Sequence, residues 1–257
     1  MGNQDYNGEH SLTINGKHTW RDWHLMPDPR PVIEPPEPKF NYISVPGADG
    51  SVDATEALSK RVLFNNREGY FTFYIANGYE PWDYIYRKMM HDVQGGSVKA
   101  IMDDDPLWYY EGRFWFSEPK QDQYWMKVFL NYNVKPYKKK IYSSVDSVGW
   151  DDLTLYDVVQ HYIFDNITVS GDTTLEFPAA VIGRQAVMPT FEVSNATETL
   201  EAKFINPELG INHDFGLPVG TSSDPRVIFS GAHDDNVCKL RVLGDATINV
   251  IFTTGEL

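Results

Sequence analysis

The sequence is 257 residues long with 42% hydrophobic and 23% charged side chains, and its 19 glycines and 16 prolines are too few for a disordered or collagen-like chain. A formal charge of −14, from 22 Lys and Arg against 36 Asp and Glu, opposes binding to a phosphate backbone and argues against sequence-specific recognition of nucleic acid. The single cysteine, Cys238, excludes an internal disulfide framework and a cysteine-based zinc site.

In chain order, the N-terminal decapeptide MGNQDYNGEH has neither a basic nor an apolar region, so no secretory signal and a cytoplasmic start are expected. Met26 to Pro38 holds six prolines and should run extended, unable to pair as a central strand, as an arm or a wrapping loop. Pro46-Gly47-Ala48-Asp49-Gly50 is a compact turn, followed by Ser51 to Arg61 as a polar loop or edge strand. Tyr70 to Ala76 alternates Phe71, Phe73 and Ile75 with Tyr70, Thr72 and Tyr74 and meets Asn77-Gly78, which reads as a strand closed by a turn. Pro81 and Asp83 open a helix predicted over about 81–94, with Trp82, Ile85, Tyr86, Met89, Met90 and Val93 at helical spacing before Gly95-Gly96. Leu107 to Phe116 and Gln123 to Val134, separated by Ser117 to Asp122, predict one long antiparallel hairpin.

Past Pro136 and the three lysines 138–140 the composition changes. Residues 1–140 carry 17 basic against 19 acidic side chains, whereas residues 141–257 carry 5 against 17. Six of the seven tryptophans also precede residue 140, which places a domain border there: 1–140 and 141–257. The second half offers short β-prone runs at 166–169, 173–177, 190–193, 200–205, 226–229 and 237–252, spaced as in a sandwich. In the last run Cys238, Leu240 and Val242 face one way, Gly244-Asp245 turns the chain, and Ala246, Ile248, Val250 and Phe252 return on the same face, which makes Cys238 a buried core thiol. The fold expected is therefore mainly β, in two domains.

Candidate chemistry is sparse. Asp103-Asp104-Asp105 lacks the Gly and bidentate Glu of a calcium loop and reads as a solvated turn. His213-Asp214 and His233-Asp234-Asp235 could be a metal pair brought together by folding, yet both sit in turn-like sequence. Nucleophile-elbow, zinc-protease, phosphate-loop and dinucleotide motifs are missing, so neither enzymatic activity nor a cofactor or metal is expected. Arg184 interrupts the longest apolar run, from Phe177 to Met188, so no membrane insertion is expected.

One resemblance covers nearly the whole chain. Trp20-Arg21-Asp22-Trp23-His24-Leu25, then Arg30-Pro31-Val32-Ile33 with Pro35-Pro36, then Val45 to Asp53, Asn77-Gly78-Tyr79, Asp104-Asp105-Pro106, Tyr109 to Phe114, Tyr132-Asn133-Val134 and Pro136-Tyr137 follow one another in an order that resembles the distal tail proteins of long-tailed, non-contractile phages. Gly244 to Val250 with Gly255-Glu256-Leu257 is similar to that family's C-terminal end.

The resemblance implies two β-sandwich domains: a ring-forming one over 1–140 with one helix, a long β-hairpin and the proline-rich arm, and a galectin-like one over 141–257. It implies a structural virion protein at the tail tip, assembled in the host cytoplasm as a homo-hexameric ring, single or in two stacked copies. Its expected partners are the tail tube protein, the tail-tip protein and receptor-binding or accessory adsorption proteins. Head-to-tail ring contacts suit an arm that reaches the next subunit, so Trp20, Trp23, Pro31 and Pro35 in the arm, with Pro46, Gly47, Asp49 and Gly50 in the turn, are the candidate subunit-interface residues. The alternative is a carbohydrate-binding protein acting in host-surface attachment. Residues 151–257 contain no tryptophan for sugar stacking, which leaves Tyr156, Tyr162 or a phenylalanine to stack.

Overall fold

A computed structural model of the protein describes residues 8–75, 81–121, 125–146 and 163–257. The fold is mainly β and divides into two compact units, one made of residues 1–39, 63–138 and 257, the other of residues 40–62 and 139–256.

The first unit contains β1 (Leu12–Ile14), β2 (Lys17–His18) and β3 (Leu25–Pro27). After the excursion of 40–62, which carries β4 (Tyr42–Ser44) and β5 (Ser51–Asp53), it resumes with β6 (Arg67–Ile75), α1 (Trp82–Val93) and β7 (Ser97–Met102). The long strands β8 (Trp108–Phe116) and β10 (Met126–Val134) flank the short β9 (Lys120–Gln121). The sheet runs β2-β1-β7-β8-β10-β6-β3, with β9 paired to the end of β10.

Period-two alternation produces this sheet. Met126, Val128, Leu130, Tyr132 and Val134 of β10 are buried, and their neighbours are not. Leu130 stands opposite Phe116 of β8 and Phe71 of β6, so the three strands present one continuous apolar face. Helix α1 lays Ile85, Met89 and Val93 into the same core, joined by Trp23, Leu25 and Phe114 with no exposed surface. Burial of each such side chain contributes about 1.5–3 kcal/mol. The predicted helix and long hairpin are both present. Pro81 stands just before the first helical residue rather than within the helix, and Gln94 closes it through its N–H to the Met90 carbonyl at 3.2 Å.

In the second unit β4 and β5 pair as a hairpin around the Pro46–Gly50 turn. Its C-terminal part begins with β11 (Lys138–Lys140), which starts in the first unit and whose Lys140 N–H donates to Thr254. It continues through β12 (Ile167–Val169), β13 (Asp172–Pro178), α2 (Ala179–Ile182), β14 (Thr190–Ser194), β15 (Leu200–Asn206) and β16 (Ile211–Leu217). The chain ends with β17 (Gly220–Ser222), β18 (Val237–Leu243), β19 (Ala246–Ile251) and β20 (Gly255–Glu256). Two four-stranded antiparallel sheets, β12-β19-β14-β17 and β13-β18-β15-β16, share one core that includes Phe177, Phe191, Phe204, Phe229, Leu240 and Ile248.

Three local expectations are corrected. The run from Val237 to Phe252 is not a hairpin within one sheet: β18 pairs with β13 and β15, whereas β19 pairs with β12 and β14. The Gly244-Asp245 turn carries the chain across the core, and both strands still face it, with Cys238, Leu240, Val242, Ile248 and Val250 buried. Asp245 fixes this corner by accepting hydrogen bonds from Ser170 Oγ at 2.8 Å and Gly171 N at 3.0 Å. His213-Asp214 lies inside β16 rather than in a turn, because Ile211, His213, Phe215 and Leu217 alternate inward with polar residues outward. Arg226 to Phe229 forms no strand, and Phe229 makes a single bridge to Val187.

Candidate assembly surface

The proline-rich segment folds back along its own unit. Pro31, Ile33 and Pro36 are buried while Val32, Glu34, Pro35 and Glu37 are exposed, an alternation set by the extended backbone that proline imposes. Lys39 N donates to Leu63 O at 2.7 Å and Asn65 N to Glu37 O at 2.8 Å, so the arm ends as a one-bridge extension beside β6. Arg67, at the start of β6, holds it from beneath: Nη1 donates to the Glu34 carbonyl at 3.1 Å and Nε to that of Pro136 at 2.8 Å, over the Tyr110 ring. Burial lowers the Arg67 pKa, but a guanidinium stays charged, so this is a buried cation balanced by backbone carbonyls. Arm and strand enclose a cleft of about 420 Å³ whose lining includes Glu34, Glu37 and Glu68.

The predicted interface residues fall into three environments. Trp23 is wholly buried, edge-on to Phe116, with Nε1 donating to Asp92 at 3.3 Å. Trp20 and Pro31 are partly and fully covered by their own unit, Trp20 lying against Gly8 and edge-on to His24. Pro35 is exposed on the rim of the acidic cleft, and Pro46, Gly47, Asp49 and Gly50 are all exposed at the tip of the β4–β5 hairpin. Both glycines there have positive φ, 84° and 79°, which a side chain would oppose.

The sequence did not mark the apolar character of that hairpin. Phe40 and Tyr42 stack on one side, Ile43 stands opposite Val52 on the other, and all four are exposed, Phe40 by 63%. Leu58, just beyond, is 97% exposed. The signal was present as Tyr42-Ile43 and Val52 on either side of a glycine turn.

The acid cluster at 103–105 is dispersed rather than convergent. Asp103 meets His18 Nε2 at 3.0 Å, Asp104 meets His10 Nδ1 and Arg30 Nε at 2.8 Å each, and Asp105 accepts from Lys138 at 2.6 Å. Among the described residues no group of three or more His, Cys, Asp or Glu side chains is arranged to hold a metal ion. His213 pairs with Asp224 at 3.3 Å, not with Asp214, which lies 3.8 Å from Lys203. Tyr156 and Tyr162 lie outside the described residues. Of the phenylalanines in residues 163–257, Phe164, Phe177, Phe191, Phe204, Phe229 and Phe252 are buried and Phe215 is half-buried. No helix among the described residues is long and apolar enough to cross a membrane.

No protein-family profile matches the chain, and no curated protein matches it. Among solved structures it is similar to the Dit (gp 19.1) protein of phage SPP1, with a TM-score of 0.55 over 96% of this chain and 99% of that one, at 14% identity. The chain has the fold of Dit. That protein is described as a paradigm of the hub adsorption apparatus in phages infecting Gram-positive bacteria. The match to Dit spans both units, so it includes the sandwich of the C-terminal part, where the sequence likeness was loosest.

Proposed function

We propose that the chain is a structural virion protein, a homo-hexameric hub at the distal end of a phage tail tube that links the tube to the tail tip and the adsorption apparatus. The observation that carries this reading is the end-to-end fold match to Dit, which covers both units at once. The first unit would form the ring, as one ring or two stacked, against the tail tube and tail-tip proteins. The C-terminal sandwich, read as galectin-like, would stand outside and dock receptor-binding or accessory proteins. The role needs no catalytic step, no cofactor and no metal.

In this reading the tip residues Pro46, Gly47, Asp49 and Gly50 and the exposed Pro35 make subunit contacts directly. Trp20, Trp23 and Pro31 act from inside, by fixing the path of the arm that presents them. The carbohydrate-binding alternative draws less support, because the phenylalanines of residues 163–257 are buried or, for Phe215, half-buried, and a stacking platform needs an exposed ring. Negative-stain microscopy and multi-angle light scattering of the purified protein, alone and with the tail-tip protein, test the hub. Six-fold rings are expected, and a monomer that persists at high concentration in both settings would overturn it.

A further inference from the structure

We propose that Asn15-Gly16 is a self-modification site, at which Asn15 deamidates through a succinimide, and that the product uncaps helix α1 and slackens the β1–β2 hairpin. Three Asn-Gly pairs occur in the sequence, and this one lies wholly within the described residues, at the tip of that hairpin.

Asparagine is a thermolabile residue because its side-chain carbonyl carbon lies near the backbone nitrogen of the residue that follows. A glycine in that place crowds the approach least. Both residues of this turn are exposed, with φ of 50° and 75°, and they form the two-residue connection between Ile14 and Lys17. No atom beyond its chain neighbours lies within 4 Å of where a Gly16 Cβ would stand, and among the described residues its N–H donates to nothing. The nucleophile is therefore unpaired and open to water. The carbon it attacks belongs to an amide held by one long hydrogen bond, from Asn15 Nδ2 to the Asp92 carbonyl at 3.3 Å. Attack requires rotation about the Asn15 Cα–C bond, which the uncovered tip permits.

The step consumes water and nothing else. Gly16 N gives its proton to hydroxide and bonds to Asn15 Cγ, the Cγ–Nδ2 bond breaks, and the nitrogen leaves as ammonia after taking a proton from water. Water then opens the succinimide at either carbonyl, giving aspartate or its β-linked isomer.

The consequence follows from what Asn15 holds. Asp92 lies in the last turn of α1, where carbonyls lack a partner within the helix, and the Asn15 amide supplies one. A carboxylate at this place has no proton to donate at neutral pH and brings negative charge to the negative end of the helix dipole. The β-linked isomer also lengthens the turn by one backbone carbon, against the register that sets Thr13 opposite His18 and Ile14 opposite Lys17. Leu12 and Ile14 have no exposed surface, so a disturbance at the tip reaches the core of the first unit. None of this depends on assembly.

Peptide mapping by mass spectrometry of the purified full-length chain, kept warm at pH 6 and at pH 9, tests the site. Conversion of Asn15 is expected to run several-fold faster at pH 9 and to give aspartate and isoaspartate together. Asn15→Gly, which suits a positive φ, should remove it. Ageing should lower the melting temperature of the native chain by about 2–4 °C, a fresh Asn15→Asp chain should melt lower by a similar amount, and the Asn15→Gly chain should melt alike before and after. An Asn15 that stays intact in the folded chain at pH 9 would overturn the site, whether or not the chain in urea converts. Conversion that leaves melting unchanged, with an Asn15→Asp chain as stable as the native one, would overturn the uncapping of α1.

Discussion

Asp224 shows how a residue's role depends on distance in the fold rather than in the chain. It accepts from Arg226 Nη2 at 2.9 Å, Arg226 Nε at 3.1 Å and Arg226 N at 2.9 Å, and it meets His213 Nε2 at 3.3 Å. The Arg226 guanidinium holds its carboxyl well below the usual carboxylate range. A folded pKa below the unfolded value of about 3.9 adds stability that is complete above the unfolded pKa and is lost progressively as pH falls from there through the folded pKa. Asp224→Asn should therefore cost about 1 kcal/mol at neutral pH, discounted for the exposed Arg226, and the gap to the native protein should begin to narrow once pH falls below about 4. Urea unfolding followed by far-UV circular dichroism from pH 8 to 2 measures this, and a gap independent of pH would assign the loss to packing. The sequence hid this cluster: it offered the adjacent His213-Asp214, but neighbours in a strand point to opposite faces, so the true partner lies eleven residues away.

At the scale of elements, the long strands were legible and their partners were not. Alternating aromatics in 70–76, 107–116 and 123–134 announce β6, β8 and β10, because period two survives without knowledge of the rest of the fold. The β18–β19 corner was misread because a Gly-Asp turn serves equally within a sheet or between two, and β13 and β15 decide which. The hairpin's apolar surface escaped notice for a related reason: Tyr42, Ile43 and Val52 make a pattern too short to separate from a loop. The β8–β10 pair also depends on a glycine whose role periodicity does not reveal. A Cβ on Gly112 would overlap Asn133 O and Val134 Cα, backbone atoms that cannot move aside without opening the ladder. Gly112→Ala should cost about 1–3 kcal/mol in chemical unfolding. Gly96→Ala, where a Cβ would meet Val98 Cγ1 at an ordinary 3.7 Å, is the control and should change little.

The whole molecule carries two separate cores, one built on Phe114, Leu130 and Met89, the other on Phe177, Phe204 and Ile248. Composition marks the passage near residue 140, where basic side chains fall away and only one of the seven tryptophans follows, but it gives no sign of the 40–62 excursion, whose charge and polarity resemble its surroundings. Units with their own cores unfold as their own cooperative transitions when the contacts between them are weaker than those within. Calorimetry of the native chain should then show two transitions. Leu130→Ala and Ile248→Ala, at positions with no exposed surface, should each cost about 2–5 kcal/mol and lower one transition by roughly 10 °C or more, leaving the other in place. A single transition moved by both substitutions would mean that the units melt together.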